Sequence, residues 1–402
     1  MSDGADGMPI AGVRLAAAAA GIRYRDRDDL VLMDCGQRAR IAAVFTRNAF
    51  CAAPVHVARE HLAAGSPRYL LINAGNANAG TGEAGMRAAR ASCELAAAQL
   101  GVTATDVLPF STGVIGEDLP LEPFSQALPE LTAGLREDGW SRAAQAIMTT
   151  DTVPKLVSRS ADVDGATIKV TGMAKGAGMI CPNMATLLAF IVTDAEVAAG
   201  PLQALLEQAV APSFNSITVD GDTSTNDACV LVASGTGVAV VGDDAHGEAG
   251  KVLRRLVDEV CMALASDLIR DAEGATKLVT IAVADAASAD EARQVAYTVA
   301  HSPLVKTALF ASDPNWGRIL VAVGRAGVDE LSIDAVEIWL DDVCIVRAGG
   351  RDPAYTESAG QRVMARAEIT VRILLGRGDA CARVLTCDLS YDYVRINAEY
   401  RS

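Results

Sequence analysis

The sequence predicts a layered protein of the α/β or α+β class, with helices covering the faces of β-sheets. Three observations predict it. Short β-like apolar runs alternate along the chain with longer helical ones. Half of the 402 residues are hydrophobic, enough for a large core shared among two or three structural units. Aromatic residues make up only 4% while glycine and alanine abound, so packing rests on small side chains and close backbone approach.

Taken in order, Leu30–Met33, Ile41–Phe45 and Tyr69–Ile72 read as strands, the last running into the turn-rich segment from Asn73 to Gly82. An alanine-rich amphipathic helix follows over 83–100, stopped by Gly101. Val107–Phe110 is a strand ending in Ser111-Thr112-Gly113, Ser141–Met148 is helical, and Thr167–Val170 is a strand leading into the glycine-rich Gly172–Gly178. The second half starts with a strand over Thr186–Val192. A helix near 201–210, a strand at Val230–Ala233, a long helix over 249–270, a strand at Leu278–Val283 and a helix over 289–300 come next. Two or three strands are expected between 336 and 388. No repeat period and no low-complexity linker interrupts this order.

Charge and composition exclude several classes. The formal charge is −15 with no block of Lys or Arg, so nucleic acid is not an expected partner. Nine cysteines lie without a C-x-x-C pair or a histidine cluster, which points to reduced thiols and to no metal site. The N-terminus is acidic where a signal peptide is basic, and Leu15–Ala20 is too short for a membrane span. A soluble cytoplasmic protein is expected. Of the 35 basic residues six are lysine: Lys155, Lys169, Lys175, Lys251, Lys277 and Lys306. In a chain that prefers arginine, a lysine beside glycines or carboxylates raises the question of chemical choice.

Familiar motifs fail on spacing. In Gly172–Gly178 the lysine precedes the closing glycines, so this is no phosphate-binding loop. Gly235-Thr-Gly237 lacks a third glycine at dinucleotide spacing, and the segment from Asp220 lacks the glycine and glutamate of a calcium loop. His56, His61, His246 and His301 sit in none of the polar glycine-rich segments, which argues against a histidine triad. What remains is a set of polar segments: Ser111–Gly116, Thr149–Thr152, Lys175–Thr186, Thr218–Asp227, Asp271–Lys277 and Asp313–Arg318. Each alone reads as a cap or turn; together they suggest one convergent pocket. By spacing alone, Thr186 reads as an ordinary residue of a buried strand.

Read together, these segments resemble the ornithine acetyltransferase family, also called glutamate N-acetyltransferase. Lys175-Gly-Ala-Gly-Met-Ile-Cys-Pro-Asn-Met-Ala-Thr186 with Leu187-Leu-Ala-Phe carries the most specific likeness. Asn73–Gly82, Ser111–Glu117, Thr218–Asp227, Asp271–Lys277, Asp313–Arg318 and the C-terminal Tyr393–Tyr400 follow in family order. The resemblance implies a self-cleaving acyltransferase of the N-terminal-nucleophile type. The cut falls between Ala185 and Thr186, giving an α chain (1–185) and a β chain (186–402) that stay associated, as α₂β₂ in the family. Thr186 then takes the acetyl group of N-acetylornithine and passes it to glutamate, in arginine biosynthesis. Acetyl-CoA serves some members as a second donor, and no other cofactor or metal is implied.

The same resemblance assigns Thr112 and Gly113 to the oxyanion hole. It makes Lys175, Glu273, Asn397 and either Thr149 or Thr150 substrate-binding residues, together with Thr186 itself. Ser402 stands where family members place a threonine and keeps the hydroxyl. Leu187 replaces a methionine, a volume-conserving swap. Cys181 stands where histidine or alanine is common, and no catalytic role is expected of it. The chemistry is coherent: a threonine hydroxyl needs an adjacent base, and cleavage creates one, an α-amine of pKa about 7.7–8.0. Two rival readings are an N-terminal-nucleophile amidohydrolase or aminopeptidase, passing the acyl group to water, and a noncatalytic binder of N-acetyl amino acids.

Overall fold

The computed structural model describes residues 7–181, 187–240 and 247–399, which divide into two compact units. The first draws on Met1–Gly176, Pro182–Asn215 and Thr223–Leu268, the second on Ala177–Cys181, Ser216–Asp222 and Ile269–Ser402. This division follows packing; the covalent division expected at Ala185/Thr186 lies outside the described residues.

The strands of the first unit are β1 (Arg14–Ala18), β2 (Leu30–Asp34), β3 (Arg40–Phe45), β4 (Tyr69–Asn76), β5 (Val107–Val114), β6 (Lys155–Val163), β7 (Ala166–Lys175), β8 (Leu188–Thr193), β9 (Glu196–Val197), β10 (Ala228–Ala233) and β11 (Ala239–Val240). They form a four-stranded sheet, β1-β2-β4-β5, a five-stranded sheet, β3-β10-β8-β7-β6, and the small pair β11-β9. Each large sheet holds one parallel pair, β4 with β5 and β8 with β10.

Strand alternation explains the layering. Val31, Met33, Leu70, Ile72 and Phe110 point into one core, shared with Phe45, Met173, Leu188, Phe190 and Val230 of the five-stranded sheet. Phe110 and Phe190 meet edge to face there at 5.2 Å. Their neighbours Leu30, Leu32, Tyr69, Leu71 and Val107 point the other way, onto Val57, Cys93, Phe124 and Leu128 from the helices Ala53–Ala64, Gly82–Leu100 and Glu122–Ala133. The far face of the five-stranded sheet lies under the helix Glu248–Arg270. A Cβ at Gly172 would come within 2.8 Å of Val260 and 3.0 Å of Leu264, so glycine sets how closely that helix approaches. The first unit is therefore helix, sheet, sheet, helix, as the layered reading predicts.

The second unit has its own sheet. Its strands are β12 (Leu278–Ala286), β13 (Glu337–Leu340), β14 (Val343–Arg347), β15 (Gly350–Arg351), β16 (Glu368–Leu374) and β17 (Ala380–Cys387), in the order β15-β14-β13-β16-β12-β17. Its core joins Val279, Ile281 and Val371 to Val295, Val299 and Ile319 of the helices Ala289–Ala300 and Trp316–Gly324.

Two expectations need correction. Between 336 and 388 there are five strands and a helix, Glu357–Met364, instead of two or three strands. The chain reverses there through turns as short as Asp341-Asp342, too short to register in composition. Second, β5 runs through Ser111-Thr112-Gly113 to Val114, and β7 runs on to Lys175. Pairing with β4, and with β6 and β8, supplies ladder hydrogen bonds that hold turn-forming residues extended.

Candidate active site

In the first unit, β4 and β5 run parallel until their register slips at Gly75 and Asn76. Both Gly75 (φ +97°) and Gly113 (φ +134°) adopt backbone angles that side chains disfavour, and a Cβ at Gly113 would lie 2.2 Å from the Gly75 carbonyl carbon. Only glycine fits. A buried polar network holds this bulge. Ser111 Oγ donates to Asn73 Oδ1 at 2.6 Å, and Asn73 Nδ2 donates to the Asn76 carbonyl at 2.9 Å. Asn226 Nδ2 ties the Ser111 carbonyl (2.9 Å) to that of Ala77 (2.6 Å). The Asn73 and Asn226 amides donate to backbone carbonyls and accept from the Ser111 and Thr225 hydroxyls, which makes the loop rigid.

The Thr112 hydroxyl is nearly buried and accepts a 3.0 Å hydrogen bond from Lys175 Nζ. Lys175 ends β7, and its register partner across the antiparallel pair is Leu188, two residues after Thr186. Beneath Lys175 lies Asp151, whose Oδ1 accepts from Lys155 Nζ at 2.5 Å and from the Gly176 amide at 2.7 Å. Its Oδ2 accepts from the Thr149 amide at 3.0 Å. The Asp151 and Lys155 side chains are fully buried. Burial raises the carboxyl pKa, but the Lys175 and Lys155 ammoniums and the Gly176 amide outweigh it and hold the group at about 2.

In the second unit, Asn397 Nδ2 donates to Glu273 Oε2 at 2.7 Å, and the Glu273 amide donates to the Ala177 carbonyl at 2.8 Å. The Glu273 carboxylate rests on the Gly178 backbone, where a Cβ would meet its oxygens at 2.4 and 2.7 Å. Asp220 accepts from the consecutive amides of Met179 (2.6 Å) and Ile180 (3.1 Å), a pair brought together by the left-handed Met179 (φ +52°). Burial raises the Asp220 pKa from its ordinary value, against the lowering effect of the amides that bond it. His301 Nε2 lies 3.0 Å from Thr218 Oγ1 and 3.4 Å from Cys181 Sγ. Burial, with the charges of Lys306 and Arg325, lowers its pKa, favouring neutral imidazole.

The ArgJ family profile matches residues 14–402. The chain belongs to the ArgJ family. It is 61% identical over 396 residues to the arginine biosynthesis bifunctional protein ArgJ of Methylococcus capsulatus, covering 98% of this chain and 96% of that one. The protein of the same name from Psychrobacter arcticus is 54% identical over 394 residues, covering 98% and 97%. Among solved structures, the arginine biosynthesis bifunctional protein of Bacillus halodurans is 35% identical, with a TM-score of 0.49, over 52% of this chain and 97% of that one.

In this ArgJ-family chain the structure brings together Thr112 with Lys175 and, separately, Glu273 with Asn397. Thr149 enters through its amide on Asp151, whereas Thr150 stands half-buried beside it. Thr186, Ala185 and Ser402 lie outside the described residues. Asp151 and Lys155 were not singled out as site residues by the sequence, although Lys155 was one of its scarce lysines. That scarcity was the usable signal, since Lys155, Lys175, Lys277 and Lys306 are all buried. Among the described residues no group of three His, Cys, Asp or Glu side chains is arranged to hold a metal. None of the described helices is long and apolar enough to cross a membrane.

Proposed function

We propose that this ArgJ-family chain transfers the acetyl group of N-acetylornithine to glutamate through an acetyl-Thr186 ester. Acetyl transfer in arginine biosynthesis is the chain's activity, as its family membership and near full-length relatives indicate. Self-cleavage between Ala185 and Thr186 frees the Thr186 α-amine, which takes the hydroxyl proton as Oγ attacks the acetyl carbonyl. The tetrahedral oxygen is met by the Thr112 hydroxyl and the Gly113 N–H. The C–N bond then breaks, ornithine leaves with the proton, and glutamate attacks the ester in turn. Lys175 takes the substrate carboxylate as a compact ammonium, while Glu273, steadied by Asn397, takes the distal ammonium of ornithine. Thr149 or Thr150 and the Ser402 hydroxyl complete the substrate contacts.

The observation that carries the site is the 3.0 Å hydrogen bond from Lys175 to Thr112. It joins two motifs far apart in sequence at the strand end next to which the nucleophile is read. Acetyl-CoA-dependent acetylation of glutamate is the second activity we assign, supported by the word bifunctional in the relatives' names. Chains 1–185 and 186–402 pair as α₂β₂, in the cytoplasm, with acetyl-CoA as the sole cofactor-like donor. Hydrolysis to water is the less favoured reading, because the chain matches arginine biosynthesis proteins along almost its whole length.

Intact mass tests maturation and chemistry together. Two chains splitting at Ala185/Thr186 are expected, with an acetyl increment on the β chain after incubation with N-acetylornithine and its loss on adding glutamate. A Thr186→Ala protein that still runs as two fragments, or ornithine release that ignores glutamate, sinks the reading.

A further inference from the structure

The Thr112 hydroxyl makes one side-chain hydrogen bond among the described residues, and in it the oxygen accepts, because an ammonium can only donate. No described group accepts the Thr112 proton. A hydroxyl has a single proton, so with Lys175 occupying one lone pair that proton is directed elsewhere. A charged donor on the oxygen also polarises the O–H bond and strengthens it as a donor. The arrangement is useful only if Lys175 stays in place. Two features secure that, and both belong to Asp151.

The carboxylate of Asp151 accepts the amide of Gly176, the residue next to Lys175, and so fixes the backbone from which that side chain extends. It is also a buried negative charge close enough to Lys175 for attraction between the two. Lys155 takes the other role. Its ammonium bonds the same Asp151 Oδ1 that takes the Gly176 amide, and so anchors the carboxylate to the start of β6.

We infer that Asp151 is a positioning residue for acetyl transfer, holding the Lys175 ammonium against Thr112 so that the Thr112 proton is presented to the oxyanion. The inference rests on the acetyl-threonine reading above and adds Asp151 and Lys155 to it. The test is a double-mutant cycle on acetyl-enzyme formation from N-acetylornithine, followed by quenched intact mass. Asp151→Asn should slow the step ~10–100-fold at saturating N-acetylornithine, where a weakened Lys175 contact to the substrate carboxylate no longer limits the rate. In a Thr112→Val background the same change should slow it by no more than ~2-fold, because the hydroxyl through which Asp151 acts is gone.

Equal losses in both backgrounds would mean that Asp151 acts on folding or elsewhere, and would overturn the inference. An Asp151→Asn protein at the wild-type rate would overturn it as well. Asp151→Asn/Lys155→Met, which removes both halves of the buried pair, guards against misfolding. It should be soluble and still slow, and wild-type speed in it would refute the role of Asp151. Wild-type protein that forms no acetyl-threonine sinks the parent reading instead, a result visible before any variant is compared.

Discussion

At the scale of single residues, the candidate site is a set of exceptions that the fold enforces. Gly113 occupies an angle and a space that exclude every side chain, and Asp151 keeps its charge where burial alone would neutralise it. The second exception has a consequence for stability. The folded pKa of Asp151, about 2, lies below its ordinary value of 3.8, so the carboxylate stabilises the fold fully above the ordinary value. That contribution is lost as pH falls through the folded value, and it is worth on the order of 2 kcal/mol. Asp151→Asn should therefore unfold at lower urea than wild type near neutral pH, with the gap closing toward pH ~2. A gap that stays constant over this range would show that the carboxylate's charge is not what stabilises. The scarce lysines were legible as a question. Their answer, four of six buried, is set by tertiary packing.

At the scale of elements, the strands that carry site residues are also the ones that join the layers. β5 carries Thr112 and Gly113 at one end and Phe110 in the shared core, and β8, which opens just after Thr186, places Phe190 against that ring. Phe190→Ala should cost about 3–5 kcal/mol, the usual loss for a buried aromatic, read as a drop in urea midpoint. A loss under about 1 kcal/mol would mean that the layers do not depend on this contact. Most long elements were legible: the expected helix at 83–100 is Gly82–Leu100, closed by a left-handed Gly101, and 249–270 is Glu248–Arg270. Periodicity works there because one face is apolar over many turns. It failed at β1, where Leu-Ala-Ala-Ala carries no period, and at the helices Ala53–Ala64 and Glu122–Ala133, which no expected element covered. Pro129 inside the latter is a breaker that packing against the first sheet overrides.

At the scale of the whole molecule, the chain leaves the first unit after Gly176 and contributes Ala177–Cys181 to the second. There Met179 and Ile180 donate to Asp220, Ile180 accepts from Val219, and Ala177 accepts from Glu273. If the chain is cut after Ala185, these bonds become contacts between two polypeptides. The fragments should co-elute on native size exclusion and part only in denaturant; separation in plain buffer would contradict that. The sequence by itself determined the layered class, most of the long helices and strands, and, through motifs kept in order over the whole chain, the family. These are local periodicities and residue identities, which a linear string retains. Tertiary structure alone decided that Lys175 bonds Thr112, that Asn397 bonds Glu273, and that Asp151 and Lys155 lie beneath the first pair. Such contacts depend on sheet register and on which face each residue presents, and both are set by packing between segments that the sequence keeps far apart.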